Sequence, residues 1–545
     1  THEATTPTLA NAPQSDSHEA DRIVNFAPWT AKLRAWQERA FAAVMTHAGT
    51  DFLAMACPGA GKTTFGLRVA HQWLADRAVD RIVVVAPTNH LRGQWAQAAA
   101  RVGLHLDPDL SNEQGVEARD YHGAVVTYHQ VALAPRVYAQ ACRMRQTFVL
   151  FDELHHAGEA KAWGGALRQA FQGAVRRLAL SGTPFRSDNQ PIPFIRYDAE
   201  MSRPDFAYGY TEALRDRVCR PIVFPAYEGD LAWKSSHAEY QATFADQLTE
   251  ERARERLKAA LLHAGWLGSV IRDAHAELQA MRRNGHREAG GLIVAMNQDH
   301  AREVAALVRS LTGKAPAVAV SDDPTATQVI RTYGTSAAPW LVAVNMVSEG
   351  VDIPRLRVGV YATNVLTEMY FRQVVGRFVR MQSGLPPGQR ASLYLPHDPI
   401  LVEYARRIKA ERDHALTAQA AEDRPRSLFD ALESEGSLFE PLAGVARQET
   451  VIGHEEPMAE EASPVPEAPP EPSVPPLHEQ KEALRATHRA LVGTIARAGG
   501  LKHDLINREL IRRTGTRIEQ ATVAQLRQRL RLLERWRDRG WDGAP

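Results

Sequence analysis

The stretch Ala56 to Thr64, ACPGAGKTT, follows the apolar run Phe52 to Met55 and leads into a helical pattern that starts at Phe65, Gly66 and Leu67. Gly59 and Gly61, with Ala60 between them, let backbone amides turn inward onto anionic oxygens. Lys62 adds a point charge for outer phosphates, and the Thr63 hydroxyl, with Thr64 beside it, is a ligand type for a hard cation. A strand leaving through a glycine-bearing turn into a helix is the setting a phosphate-binding loop requires. The plainer alternative is an ordinary strand-to-helix turn with an exposed lysine. Ala56 stands where the generic pattern has its first glycine, and Cys57 reads as packing rather than redox chemistry.

A second group follows the buried-strand run Phe148 to Phe151: Asp152, Glu153, Leu154, His155 and His156. Carboxylates at the carboxyl edge of a parallel sheet stand where α/β ligands bind. Asp152 can hold magnesium and Glu153 can orient and deprotonate an attacking water. Taken alone, such acids are usually loop residues, but two adjacent ones without a cation would repel each other. The two histidines do not make a zinc site, because no second His or Cys cluster lies at suitable spacing; a relay of nucleotide state is the better reading for them. The third group is Gln373, Gly376, Arg377 and Arg380. On a helix these share one face, with Gly376 permitting close approach and the arginines able to compensate charge in phosphoryl transfer. A solvated arginine face is the bland alternative.

The elements that must position these groups are legible as short β-rich runs alternating with helical patterns. Phe52–Ala56, Ile82–Ala86, Ala124–Thr127, Phe148–Phe151 and Leu178–Ser181 form one series; Leu292–Met296, Ala317–Val320, Leu341–Val344, Val358–Ala362 and Ser392–Leu395 form another. Such alternation predicts crossover units and parallel sheets, so two similar α/β domains. Thr249 to Arg283, rich in Ala, Leu, Arg and Glu without proline, predicts helical material joining the domains or inserted in the second. Near the C-terminus, Thr522 and Gln525 resemble a capping box ahead of Val523, Leu526, Leu530, Leu533 and Trp536 at helical spacing.

Composition narrows the class. With 545 residues, 44% apolar and 24% charged, the chain can bury several cores and has no apolar stretch long enough for a bilayer span, so membrane functions drop out. Thr1 to Arg22 is polar and lacks the apolar centre of a signal peptide. Three scattered cysteines, Cys57, Cys142 and Cys219, predict neither a disulfide framework nor a paired-cysteine zinc site and fit a reducing cytoplasm. The net charge is +1, yet residues from His478 onward carry 15 Lys and Arg against 8 Asp and Glu.

Taken in order, the motifs resemble those of superfamily 2 helicases of the DExH type, over roughly Phe26 to Arg407. Leu33, Arg34 and Gln37 look like the adenine-reading Q element, Ala86 to Thr88 like motif Ia, and Thr127 with Tyr128 like motif Ib. Asp152, Glu153 and His155 are similar to motif II, Ser181 to Pro184 to motif III, Ser348 to Pro354 to motif V, and Gln373 to Arg380 to motif VI. The resemblance implies two tandem RecA-like parallel-sheet domains with a helical connecting region and a small C-terminal helical module. It also implies ATP and Mg2+ as cofactors, Gly350 and Asp352 at the interdomain cleft, Ser181, Thr183 and His155 coupling hydrolysis to movement, and Thr88, Thr127 and Tyr128 touching nucleic-acid phosphates.

The expected division is residues 1–24 a flexible leader, 25–215 the ATP-binding domain, 216–285 a connecting helical region, 286–412 the second domain, 413–447 a helical or irregular extension, 448–480 a Pro- and Glu-rich disordered linker and 481–545 a basic helical module. The resemblance points to DNA translocases of restriction and repair rather than DEAD-box RNA unwinders, in which Ala and Asp would replace Leu154 and His155. DNA is therefore the preferred track. An RNA helicase or a nucleotide-gated DNA-binding scaffold of a defence or restriction complex is the alternative. No nuclease constellation is present, so any cutting would come from a nuclease or another defence or repair partner. Arg527, Arg529, Arg531, Arg535, Arg537 and Arg539 could grip phosphates, or form a solvated face or a protein-docking element.

Overall fold

The computed structural model describes residues 28–154, 163–182, 192–198, 201–216, 218–235, 238–320, 325–344, 353–382, 385, 389–413, 439–444, 446–452 and 474–542. His155, Thr183, Gly350 and Asp352 lie outside the described residues, as does most of the region between 413 and 439.

The first sheet contains β1 (Asp51–Ala56), β2 (Arg81–Ala86), β3 (Leu106–Asp107), β4 (Gly123–Thr127), β5 (Thr147–Asp152) and β6 (Arg176–Ser181). After a hairpin of β7 (Tyr197–Asp198) and β8 (Met201–Ser202), β9 (Phe206–Tyr208) adds an edge. The order is β3-β4-β2-β5-β6-β1-β9, parallel throughout. Successive side chains of a strand point to opposite faces. Val83, Val85, Val149 and Phe151 accordingly enter one apolar cluster, while Ile82, Val84, Phe148 and Leu150 enter another. Burial on both sides explains why these strands read as unbroken apolar runs.

The second sheet draws on β10 (Ile222–Glu228), β13 (Gly290–Ala295), β14 (Ala317–Ala319), β15 (Trp340–Ala343), β16 (Leu356–Ala362), β17 (Ala391–Pro396) and β19 (Arg447–Ile452), in the order β14-β15-β13-β16-β17-β10-β19. Only β19 runs antiparallel. A small antiparallel sheet joins β11 (Leu231–Ser235) to β12 (Ala238–Ala242) and β18 (Phe439–Gly444).

The stretch 216–285, expected as a connecting region, supplies β10 to the second sheet and the hairpin β11–β12. Its helix Ala264–Arg283 packs on the second sheet and Glu250–Leu262 on β11 and β18 of the small one, with Leu257, Trp266, Ile271 and Leu278 in one cluster with Ile293, Val342 and Val360. Strands also arise in the expected extension and at the start of the expected linker, through β18 and β19. The β10 run holds Pro225 and alternates less clearly than its neighbours, which hides it from pattern reading.

The C-terminal helices Leu477–Gly499, His503–Thr514 and Val523–Arg539 form a separate cluster around Ile506, Leu510, Leu533 and Trp536. The Thr522 hydroxyl accepts from Gln525 N, and Gln525 Oε1 accepts from Thr522 N at 2.9 Å, closing a capping box. This module docks on the first domain. Lys481 Nζ donates to Asp120 Oδ1 at 2.6 Å and lies 4.3 Å from the Tyr121 ring centroid, while Asp120 Oδ2 accepts from Val523 N at the last helix's first turn. Arg529 is buried and donates to Thr514 and Thr516, so it holds the module together and offers nothing to a nucleic-acid phosphate; Arg527, Arg531, Arg535, Arg537 and Arg539 remain exposed.

Candidate nucleotide site between the domains

β1 ends at Ala56, and the turn that follows places Gly59 at φ 82° and Gly61 at φ 96°, conformations that favour glycine. The helix Lys62–Ala75 then begins, so free amide groups and the positive end of its dipole face the turn. Three side chains from the segment Arg34–Gln37 hold the turn from behind. Arg34 Nη1 and Trp36 Nε1 donate to the Ala60 carbonyl at 2.8 and 3.0 Å, and Gln37 Nε2 donates to the Gly61 carbonyl at 2.9 Å. Gln37 Oε1 accepts from Arg34 N, so both ends of its amide are engaged in bracing the loop and capping its own helix. Burial pulls the Arg34 guanidinium below its ordinary value.

β5 delivers Asp152 and Glu153 beside this loop. Lys62 Nζ and Glu153 Oε1 form an ion pair at 2.7 Å, and Glu153 Oε2 accepts from Gly182 N at 3.0 Å. Glu153 has φ 47°, a strained value for a residue with a Cβ, and these two partners hold it there. A Cβ on Gly182 would lie 3.0 Å from Lys62 Nζ, so the end of β6 closes against the same groups. Ser181, the last residue of β6, is buried and pairs in register with Met55 of β1.

Asp152 is held by two residues that sequence reading did not assign to it. Trp95, on the helix Asn89–Arg101, donates its indole N–H to Asp152 Oδ2 at 2.8 Å, and the Tyr128 hydroxyl donates to the Asp152 carbonyl at 2.9 Å. The expectation that Tyr128 presents itself to a nucleic-acid strand is corrected here: the residue is buried behind Asp152, its hydroxyl is committed, and burial together with the two nearby carboxylates raises its pKa well above the ordinary value. Thr127 and Thr88 are N-caps whose hydroxyls accept from Gln130 N and Leu91 N, the reason threonine stands at both positions. The indole–carboxylate contact crosses 57 positions, so periodicity carries no signal for it.

The second domain contributes the helix Glu368–Phe378, on which Gln373 and Arg377 are half-buried. The helix ends before Arg380. Val379 is its C-cap and Arg380 lies in an isolated antiparallel bridge with Cys219, so the expected single helical face of Gln373, Gly376, Arg377 and Arg380 stops short of its last member. Arg380 nevertheless reaches the loop: a Cβ built on Gly59 would be 2.6 Å from Arg380 Cγ. A Cβ on Gly376 would be 2.3 Å from Pro58 Cβ. The two domains therefore meet with the glycine-bearing loop under the arginine segment, and a larger residue at 376 would hold them apart.

Thr63 and Asp152 offer oxygen donors, which suit a hard cation shared with phosphate oxygens. The glycine turn, Lys62 and the helix N-terminus suit the phosphates themselves. Among the described residues no helix is long and apolar enough to cross a membrane.

Residues 30–186 match the family of the type III restriction enzyme res subunit. The chain is 45% identical over 397 residues to an uncharacterized protein of Mycobacterium tuberculosis, covering 72% of this chain and 65% of that one. It is 44% identical over 391 residues to an uncharacterized protein of Mycobacterium leprae, with 70% and 65% covered. The match thus spans slightly less than two thirds of these relatives' own length. Among solved structures, the fragment assigned as an HsdR subunit of a type I restriction enzyme from Vibrio vulnificus aligns at 16% identity with a TM-score of 0.49, covering 72% of this chain and 68% of that one. The restriction-subunit match falls on the first of the two parallel-sheet domains, and the order of the motifs resembles that of superfamily 2 helicases.

Proposed function

We propose that the protein hydrolyses ATP with Mg2+ in the interdomain cleft and uses the energy to translocate along nucleic acid, with DNA as the track. The observation that carries this reading is the stem of Arg380, from the second domain, lying over Gly59 of a loop whose Lys62 is paired with Glu153. Lys62 would exchange Glu153 for phosphate oxygens, releasing that carboxylate to orient water. Thr63 and Asp152 would hold Mg2+, which neutralises developing charge at the phosphates. Arg377 and Arg380 would supply positive charge from the opposite domain, and Gln373 would orient them. Gly350 and Asp352 would line the cleft; Ser181, Thr183 and His155 would pass the nucleotide state onward. Alternate closure and relaxation of the domains would then step a bound strand.

DNA is favoured by the restriction-subunit match of residues 30–186 and by Leu154 at the position where RNA unwinders carry Ala. Thr88 and Thr127 stand at helix starts whose backbone amides are the groups suited to phosphate contact, which makes grip independent of sequence. A nuclease or repair protein is the partner such a motor would serve. ATPase measured with duplex DNA, single-stranded DNA and RNA tests motor and track together. Stimulation by DNA is the expected result; stimulation by RNA alone transfers the reading to an RNA helicase, and binding without turnover to a nucleotide-gated scaffold. Glu153→Gln is expected to lower turnover by about 10²–10⁴-fold, the range for loss of a general base.

A further inference from the structure

The chain holds three cysteines, and two of them meet in the fold. Cys57 Sγ and Cys219 Sγ are 3.6 Å apart, both buried and both free thiols, although 162 positions separate them in the chain. Each is fixed to a different working part. Cys57 N donates to the Tyr208 carbonyl, and its own carbonyl accepts from Ala60 N, so it forms the base of the phosphate loop. Cys219 bridges to Arg380, and the next residue, Arg220, donates through its backbone N–H to the Val379 carbonyl at 2.6 Å. The Cys219 thiol also faces the Pro58 carbonyl at 3.8 Å.

We propose that Cys57 and Cys219 are a redox modification site: a hydroperoxide joins them in a reversible disulfide that ties the phosphate loop to the arginine segment and arrests the domain cycle. Side-chain rotation has to bring the sulfurs from 3.6 Å to a bond of about 2.05 Å, without either segment leaving its backbone partners. One thiol gives up its proton and attacks a peroxide oxygen, breaking the O–O bond and yielding a sulfenic acid and water. The second sulfur displaces the sulfenic oxygen as another water. Two thiols and one H2O2 become one disulfide and two H2O, with two electrons passing from sulfur to peroxide. The thiol hydrogen bond to Cys219 and burial hold Cys57 well above the usual thiol range, despite Lys62 and Arg34 nearby, so the resting pair stays reduced and reacts slowly.

The bond itself depends only on the two sulfurs, whereas its effect on turnover rests on the ATPase reading above. The full chain is treated with H2O2, alkylated and digested, with DNA-stimulated ATPase followed in parallel. A linked Cys57–Cys219 peptide that disappears on reduction is expected, and turnover should fall in proportion to the linked fraction and return with reductant. Cys219→Ser should keep both its basal turnover and its activity after peroxide, and Cys142→Ser should behave as wild type. Absence of the linked peptide, with alkylated Cys57 and Cys219 recovered intact from folded protein, overturns the site. Equal loss of activity in Cys219→Ser overturns the mechanism of arrest. If no ATPase is found at all, the linked peptide still decides whether the pair closes.

Discussion

The two sheets repeat one topology yet are equipped differently. Reading each from its distal edge, β3-β4-β2-β5-β6-β1 corresponds strand for strand to β14-β15-β13-β16-β17-β10, with a seventh strand, β9 or β19, added at the same side. After β1 the chain enters the glycine turn and Lys62; after β10, its counterpart, Gly229 and Asp230 lead straight into β11. β5 ends in Asp152 and is followed by Glu153, whereas β16, in the same place, is followed by Thr363 and Asn364. Among its described residues the second domain shows no matching glycine turn with a lysine, and it gives instead a helix end and Arg380 to the first. A shared scaffold therefore fixes where a site is possible, and a few residues at strand ends decide which domain owns it.

The difference can be broken most sharply at Arg380. Arg380→Ala is expected to lower nucleic-acid-stimulated turnover by about 10³-fold or more while nucleotide binding falls far less, the pattern of a group used in the transition state. Retained turnover would mean the second domain merely rests on the loop. Gly376→Ala should follow: its added carbon would overlap Pro58, and overpacking of about 1–3 kcal/mol translates into a roughly 5- to 150-fold loss of closure, visible in ATPase. Trp95→Phe keeps an aromatic ring, though a smaller one, and removes the N–H to Asp152; with about 1.5–3 kcal/mol for a bond to a charged group, a tenfold or greater drop in turnover and a raised Mg2+ requirement are expected, the second being a readout a packing defect would not move.

The smallest effect concerns the opposite edge of the first domain, where β3 carries Asp107 near Lys481 and Arg485 of the docked module. Burial raises the Asp107 carboxyl to about 6, a rise that the hydrogen bond from Asp109 N and the charges of Lys481 and Arg485 only partly oppose. A folded pKa above the unfolded one means stability that is fully present below about pH 4 and lost as pH rises through about 6. Asp107→Asn should therefore melt higher than wild type at pH 7.5, and the difference should shrink as pH falls from 6 towards 4. Parallel melting curves across that range would show that Asp107 titrates normally.

Much of the first domain is legible in the sequence. The β-rich runs around Val83, Val125 and Leu150 reveal their strands because both faces are buried, and ACPGAGKTT reveals its turn because backbone geometry and phosphate chemistry act over nine consecutive residues. β10 escaped because a strand with Pro225 beside an antiparallel edge has no strong local pattern, and Tyr128 was misread because nothing near it in the chain tells that its hydroxyl ends under Asp152.

The linear order of residues by itself determined the motif series, the alternation of strands and helices, and the capped C-terminal helix, all of which depend on neighbours within a few positions. Only the tertiary structure decided that Arg380 lies over Gly59, that Trp95 holds Asp152, that Cys57 touches Cys219 and that Asp120 receives Lys481. These contacts join residues tens to hundreds of positions apart, and their energies arise from burial and alignment that exist only once the sheets have formed and the domains have met.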